Sequence, residues 1–179
     1  MAGEVTDELR ATAYHEAGHA VLKVVHHVRL NRVAVVPDED RGSLGHVAYS
    51  VAEAFKHRVQ HDTSPDVRAR GEVLIISSMA GRLAEARYTG SENLEGAQGD
   101  IHHEVDIASY LTGSNEEAEL YLAWLYCRAR AEVERWWWAI EAVAGELLAN
   151  KTLSSQDVRA IMREARQAAM KRARHQGSG

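Results

Sequence analysis

The stretch His15-Glu-Ala-Gly-His19 constrains this chain more than any other. On an α-helix, two histidines four positions apart differ by one turn plus about 40°, so both imidazoles leave one face and can share a metal ion. Imidazole nitrogen suits Zn²⁺ at about 2.0–2.1 Å, and a catalytic site keeps one coordination position open. Glu16 follows the first histidine directly. It is placed as a general base that takes a proton from water and returns it to a leaving amine. Two ligands and a base on one helix form the HExxH arrangement. The helix is legible in its own right, since Leu9, Ala13, Ala17, Ala20, Val21, Val24 and Val25 form an apolar stripe at helical spacing. Gly18 costs this helix about 1 kcal/mol relative to alanine and therefore calls for a packing reason. A second element pressed against the ligand helix is the expectation.

With 179 residues, a single domain over 1–179 is expected, with a structureless tail over 168–179. Hydrophobic residues at 45% and charged residues at 26% describe an ordinary globular chain. The net charge of −5 offers no general attraction to nucleic acid, and no nucleic-acid partner is expected. A single cysteine, Cys127, excludes an intramolecular disulfide framework and fits a reducing compartment, so a cytoplasmic location is expected. It lies in an apolar helical run and is expected to be a small buried thiol. No run of about 18 apolar residues occurs, so no membrane-spanning segment is expected. Glu4, Asp7 and Glu8 replace the basic and then apolar start of a signal sequence.

The pattern predicts a first helix from about Asp7 to His27, with Thr6 as N-cap. Val33–Val36 reads as a short strand closed by Pro37, and Leu44–Ser50 as a second strand beyond a charged loop. Residues 51–63 read as a short helix and a polar loop. Ser64-Pro65 starts a helix that runs to about Arg87. Asp100 opens a further helix that ends near Gly113. Residues 115–150 hold no proline and form one long helix or two, with Leu120, Trp124, Cys127 and Ala131 beginning its apolar stripe. Ser154 and Asp157 form a capping box for a last helix. The fold class is mainly α (α+β), with a small sheet or hairpin.

Two histidines hold zinc poorly, and a third protein ligand is expected. The candidates are His26, His27, His46, His57, His61, Asp100, His102, His103, Glu104, Asp106 and several glutamates. His26 is about 10 Å along the axis from His19 and cannot reach the same ion. Asp100 and Glu104 share a helical face with His103 near it, and spacing leaves the choice open.

Four blocks in order carry a family resemblance. They are Thr12-Ala-Tyr-His-Glu-Ala-Gly-His-Ala20; Val33–Pro37 followed by Leu44-Gly45; Gly81-Arg-Leu-Ala-Glu85 reaching Gly90; and Gly96-Ala-Gln-Gly-Asp100. Leu147-Leu148 with Thr152-Leu153 resembles the closing segment. Over roughly residues 6–165 the chain resembles the peptidase domain of the FtsH-type membrane-anchored, ATP-dependent zinc metalloproteases. The resemblance implies a helical zincin-like peptidase domain. His15, His19 and Asp100 would be its Zn²⁺ ligands and Glu16 its catalytic base. The sequence departs from the family at Glu104-Val105, where an alanine-threonine pair is usual, and at Ala86, which replaces a second acid. The region between Leu111 and Ala123 is shorter than the family's. No GxxxxGK[ST] phosphate loop occurs, so a free-standing peptidase-like protein or an excised fragment is expected.

The strand around Gly45–Tyr49 reads either as a plain edge or as a platform for a substrate strand. His46 on it reads as a surface histidine before an oxyanion donor. Trp136-Trp137-Trp138 cannot all face one core, so at least one is expected at the surface or at a subunit contact. The basic run Arg159–His175 reads as a solvated helix end. The expected function is a zinc-dependent endopeptidase acting on unfolded or flexible polypeptides. A separate ATPase or unfoldase and a homo-oligomer are its possible partners. The alternative is a non-catalytic metal-binding module, and a third reading is a zinc-free helical interaction domain built on the tryptophans.

Overall fold

A computed structural model describes residues 6–35, 46–48, 62 and 64–176, with the backbone alone at 46–48 and 172–176. The expectations for residues 36–45, 49–61 and 63, including the strand ends, His57 and His61, lie outside the described residues.

Helix α1 spans Asp7–Val25. The Thr6 hydroxyl accepts a hydrogen bond from the Leu9 amide at 3.1 Å, and Asp7 and Glu8 complement the positive end of the helix dipole. Strands β1 (Arg32–Ala34) and β2 (His46–Ala48) pair antiparallel, Val33 opposite Val47. Helix α2 runs Pro65–Thr89. The Ser64 side chain does not cap it; Pro65 sets the entry, and the Ser64 amide donates to Asp62 Oδ1 at 2.9 Å. The helix stops at Gly90, whose φ of 88° lies in the left-handed region that glycine enters without strain. Helix α3 is Gln98–Leu111, two residues longer at its start than expected, which puts Asp100 in its first turn.

The open question over residues 115–150 resolves into two helices, α4 (Asn115–Arg135) and α5 (Trp137–Asn150), parted at Trp136. A third strand, β3 (Thr152–Ser154), was not foreseen. It pairs antiparallel with the other edge of β1, giving the order β2-β1-β3. Three residues with one buried side chain, Leu153, show no periodicity that could have announced it. Helix α6 follows over Ser155–Gln176, so it takes in residues 168–176 of the expected tail. Its capping box is formed: the Ser154 amide donates to Asp157 Oδ2 at 2.8 Å, and the Asp157 amide to Ser154 Oγ at 3.2 Å.

The architecture is mainly α, six helices and one small sheet among the described residues. Helix α1 is its axis: Ala13, Ala17 and Ala20 are fully buried in the core, and the helix packs on α2 and on α5. A Cβ on Gly18 would lie 2.3 Å from the Ala80 carbonyl oxygen, so α1 and α2 touch backbone to backbone there. That is the packing reason the sequence demanded.

Two expectations fail on α4. Its buried face is Ala118, Leu125, Ala129 and Val133, whereas Leu120, Trp124, Cys127 and Ala131 point to solvent. Cys127 is therefore exposed, not buried. The helix carries apolar residues on both sides, and the face that sets Leu125 and Val133 with two alanines is the one turned to the core.

The three tryptophans divide around the break at Trp136, each half-buried. Trp137 stacks on Tyr14 at 5.4 Å, with the Arg87 guanidinium 4.1 Å from its ring centroid.

An ion pair joins α2 to α3. Arg82 Nη1 donates to Glu104 Oε1 at 2.5 Å, and the two residues are 6% and 2% exposed. Glu104 stands one turn beyond Asp100, so this pair holds the helix that carries the aspartate. Removing one partner of a buried pair leaves an uncompensated charge and costs about 3–5 kcal/mol, while an apolar replacement of both is often near neutral. Glu104→Leu should therefore lower unfolding stability by about 3 kcal/mol, and Arg82→Met with Glu104→Leu should recover most of it, as read by urea denaturation of the single and double variants.

Candidate metal centre

Helix α1 projects His15 and His19 toward α2 and the start of α3, and Asp100 meets them there. His15 Nε2 lies 3.0 Å from His19 Nε2, Asp100 Oδ2 lies 3.2 Å from the first, and 3.1 Å separates it from the second. The three donor atoms form a nearly equilateral triangle. A tetrahedral ion with bonds of about 2.0–2.1 Å spans edges of about 3.3 Å, so the triangle matches one face of such a site.

The other ring nitrogens are fixed as well. His15 Nδ1 lies 2.8 Å from Glu85 Oε2, and His19 Nδ1 2.9 Å from the Ser77 carbonyl oxygen. Both partners accept, so both Nδ1 atoms donate and each Nε2 faces the triangle, where a neutral ring offers its lone pair. Asn93 holds Glu85 in turn, its amide nitrogen 3.2 Å from Oε1. Helix α2 lines the site closely. A Cβ on Gly81 would lie 2.3 Å from His19 Nε2 and 2.9 Å from His15 Nε2.

Glu16 is buried beside the two histidines, and its Oε2 has no hydrogen-bond partner. A buried carboxylate oxygen without a partner is costly, and at a site of this kind it marks a place for a ligand or water. Burial pushes the Glu16 carboxyl up, against the pull of His19 and His15.

Electrostatics fit three lone pairs converging on one point. Burial would lower the His15 pKa, but the bonds to Asp100 and Glu85 outweigh it and lift the pKa to about 10. Asp100 moves the opposite way: burial would raise it, and His19 and His15 hold it far below the usual carboxylate range. Hydrogen bonds from His15 and Asn93 likewise bring Glu85 down despite its burial. With His15 protonated, a proton thus sits among the three donor atoms. Because the folded pKa of His15 is raised, its stabilising effect is complete below about 6.5 and fades as pH climbs through 10. With chelator present, the melting temperature should fall between pH 7 and 10, and His15→Asn should flatten that slope in differential scanning fluorimetry. A metal takes the same lone pair, so its binding at pH 7 should release a proton, measured as a dependence of calorimetric heat on the buffer's ionisation enthalpy.

The remaining candidates go elsewhere. His26 Nε2 pairs with Glu132 Oε2 at 2.5 Å, Glu104 is held by Arg82, and His27 and His102 are exposed. His46 lies in β2 opposite Ala34. Sequence reasoning gave no role to Glu85, to the Ser77 carbonyl or to Gly81. Gly81 and Glu85 lie in the one quoted block, but nothing in spacing says that they face α1.

Residues 5–114 match the sequence profile of Peptidase family M41. The chain belongs to that family. The M41 segment runs from α1 to the end of α3 and holds all four predicted site residues. Among M41 relatives, the chain is 36% identical to the ATP-dependent zinc metalloprotease FtsH of Mycoplasmopsis pulmonis, over 57% of this chain and 13% of that protein. It is 28% identical to the ATP-dependent zinc metalloprotease YME1L of Drosophila melanogaster, over 86% of this chain and 24% of that protein. To FtsH of Photobacterium profundum it is 35% identical, over 57% and 14%. The M41 chain thus spans a quarter or less of the length of these relatives. No helix among the described residues is long and apolar enough to cross a membrane.

Proposed function

We infer that the chain is a zinc-dependent endopeptidase that hydrolyses unfolded or flexible polypeptides, with His15, His19 and Asp100 as metal ligands and Glu16 as general base. The observation that carries this reading is the equal-sided triangle of donor atoms, both histidines oriented by their second nitrogens, beside a buried carboxylate without a partner. Zinc bound there supplies Lewis-acid polarisation of the scissile carbonyl and acidifies a water. The chain's own groups do the rest. Glu16 Oε2 takes the proton of the attacking water and hands it to the departing amide nitrogen. Its raised pKa suits both halves of that exchange. Glu85 and the Ser77 carbonyl keep the imidazoles from turning away.

Strand β2 is at the edge of the sheet among the described strands, and an extended substrate segment can add alongside it. Only a chain already free of tertiary structure offers such a segment. The relatives are named as ATP-dependent enzymes. A separate ATPase that unfolds and delivers substrate, and assembly of several copies, follow from that likeness as parts of this proposal.

The test is incubation of the zinc-loaded chain with a disordered protein such as casein, counting new amino termini. Cleavage that stops on chelation and returns with added zinc supports the reading. Full zinc occupancy without cleavage of any unfolded chain rejects it in favour of a metal-binding module.

A further inference from the structure

One groove in the chain takes no part in the metal chemistry. It lies where α4 gives way to α5 and the second half of α6 passes the break. Arg135, Trp136, Trp138, Arg166, Ala169 and Met170 line a space of about 490 Å³. None of the six belongs to the metal centre. The volume is that of a small-molecule site, and so is the lining, an apolar wall with a few polar groups. The indoles of Trp136 and Trp138 stand 5.8 Å apart between centroids, tilted by 46°, and Met170 on the facing helix is 52% exposed.

The polar groups decide what fits. Guanidinium and indole N–H groups donate and never accept. Among the described residues the two arginines have no ion-pair partner and the two indoles no hydrogen bond. The acids nearby are engaged or turned away. Glu132 is held by His26 and Glu134 by Arg87. Glu141 acts on Tyr14 of α1. Glu164, two positions before Arg166, falls about 200° around α6. Arg159 and Arg163 precede Arg166 on its own side of that helix and add to its positive charge. The groove therefore needs an occupant that brings an apolar body and an anionic acceptor. We propose that it binds a small amphiphilic carboxylate of the fatty-acid type, with the chain laid against Trp136, Trp138 and Met170 and the head met by Arg135 and Arg166. A planar carboxylate matches the guanidinium fork through two parallel hydrogen bonds. Bound there, it ties α6 to the α4–α5 break and stabilises the native chain.

The proposal needs neither metal nor cleavage and is tested apart from them. Calorimetric titration of the full chain with decanoate, zinc-loaded and chelated alike, should show one saturable site with a dissociation constant on the order of 50 μM. Tryptophan emission should shift over the same range, and the melting temperature should rise. Arg135→Gln and Arg166→Gln should each weaken binding at least about threefold. Ala169→Phe, at an exposed position, should fill the groove and abolish binding while leaving the free chain's melting temperature unchanged. Decanol and decylamine, with the same chain and no anion, should bind at least about tenfold more weakly than decanoate. No saturable binding up to about 1 mM, equal binding of decanol, or binding that survives Ala169→Phe would each overturn the proposal. So would a clear preference for decyl phosphate, or capture of an acidic leucine-rich peptide by a chain that does not bind decanoate.

Discussion

Glu16→Gln should lower cleavage of unfolded casein about a thousandfold while leaving bound zinc unchanged. The substitution keeps the size and shape of the side chain and removes only its capacity to take a proton. General acid–base catalysis contributes about 10²–10⁴ in rate, and in the proposed mechanism one carboxylate serves both the attack and the departure, which places the expected loss in the upper half of that range. Stability should not suffer. The carboxylate is buried, one of its oxygens has no partner, and its pKa is raised, so the fold holds the charged form at a cost. An amide at that position carries no charge to desolvate, and the melting temperature of the variant should equal or exceed that of the parent. Elemental analysis gives the zinc content, and the rate of new amino termini gives the activity. Equal activity in the variant and the parent would remove Glu16 from the mechanism; loss of zinc together with activity would make it a ligand rather than a base.

How much of this could be read beforehand differs from element to element. Helix α1 was legible to within two residues, because its cap, its apolar stripe and its two histidines all share one period. The need for a partner at Gly18 was legible too, since glycine in mid-helix is unfavourable without close approach. Its identity was not: that Ala80 and Ala84 fill the space depends on how α2 crosses α1, and a sequence carries no crossing angle. Asp100 shows the same limit. Spacing left it among several acids and histidines, and only the resemblance singled it out. The reason is physical, since 85 residues of chain separate it from His15, and the link is made by the α2–α3 packing. The error on α4 has another cause. With Ala118, Ala129 and Leu125 on one side and Leu120, Trp124 and Cys127 on the other, both faces satisfy a helical apolar period. Periodicity alone cannot say which of two apolar faces meets the core, and the face with Leu125 and Val133 is the buried one.

Two glycine-to-alanine changes, one on each helix of the packed α1–α2 pair, should separate fold from metal. Gly18→Ala puts a methyl group 2.3 Å from the Ala80 carbonyl oxygen and 2.9 Å from its carbon, and neither is a side chain that can swing aside. The two helices must part, and the core of small residues between them opens. Overpacking of this kind costs about 1–3 kcal/mol, with more expected where backbone is the obstacle, so thermal denaturation should show a large fall in melting temperature with or without zinc. Gly81→Ala meets a different obstacle. Its methyl group would lie 2.3 Å from His19 Nε2 and 2.5 Å from Cε1, with His15 Nε2 at 2.9 Å. Imidazoles can rotate, but only by leaving the Ser77 carbonyl and Glu85 and by turning their lone pairs away from Asp100. Disturbing only the groups behind metal ligands costs about 10–100-fold in affinity, and here the ligands themselves are displaced, so zinc binding should weaken by more than 100-fold. The chelated form should lose less stability than in Gly18→Ala, because side chains yield where backbone does not. Competition with a chromophoric chelator reads the affinity and calorimetry reads the stability. If Gly81→Ala bound zinc as the parent does, the two imidazoles could not be where α2 presses on them, and the triangle with Asp100 would lose its support.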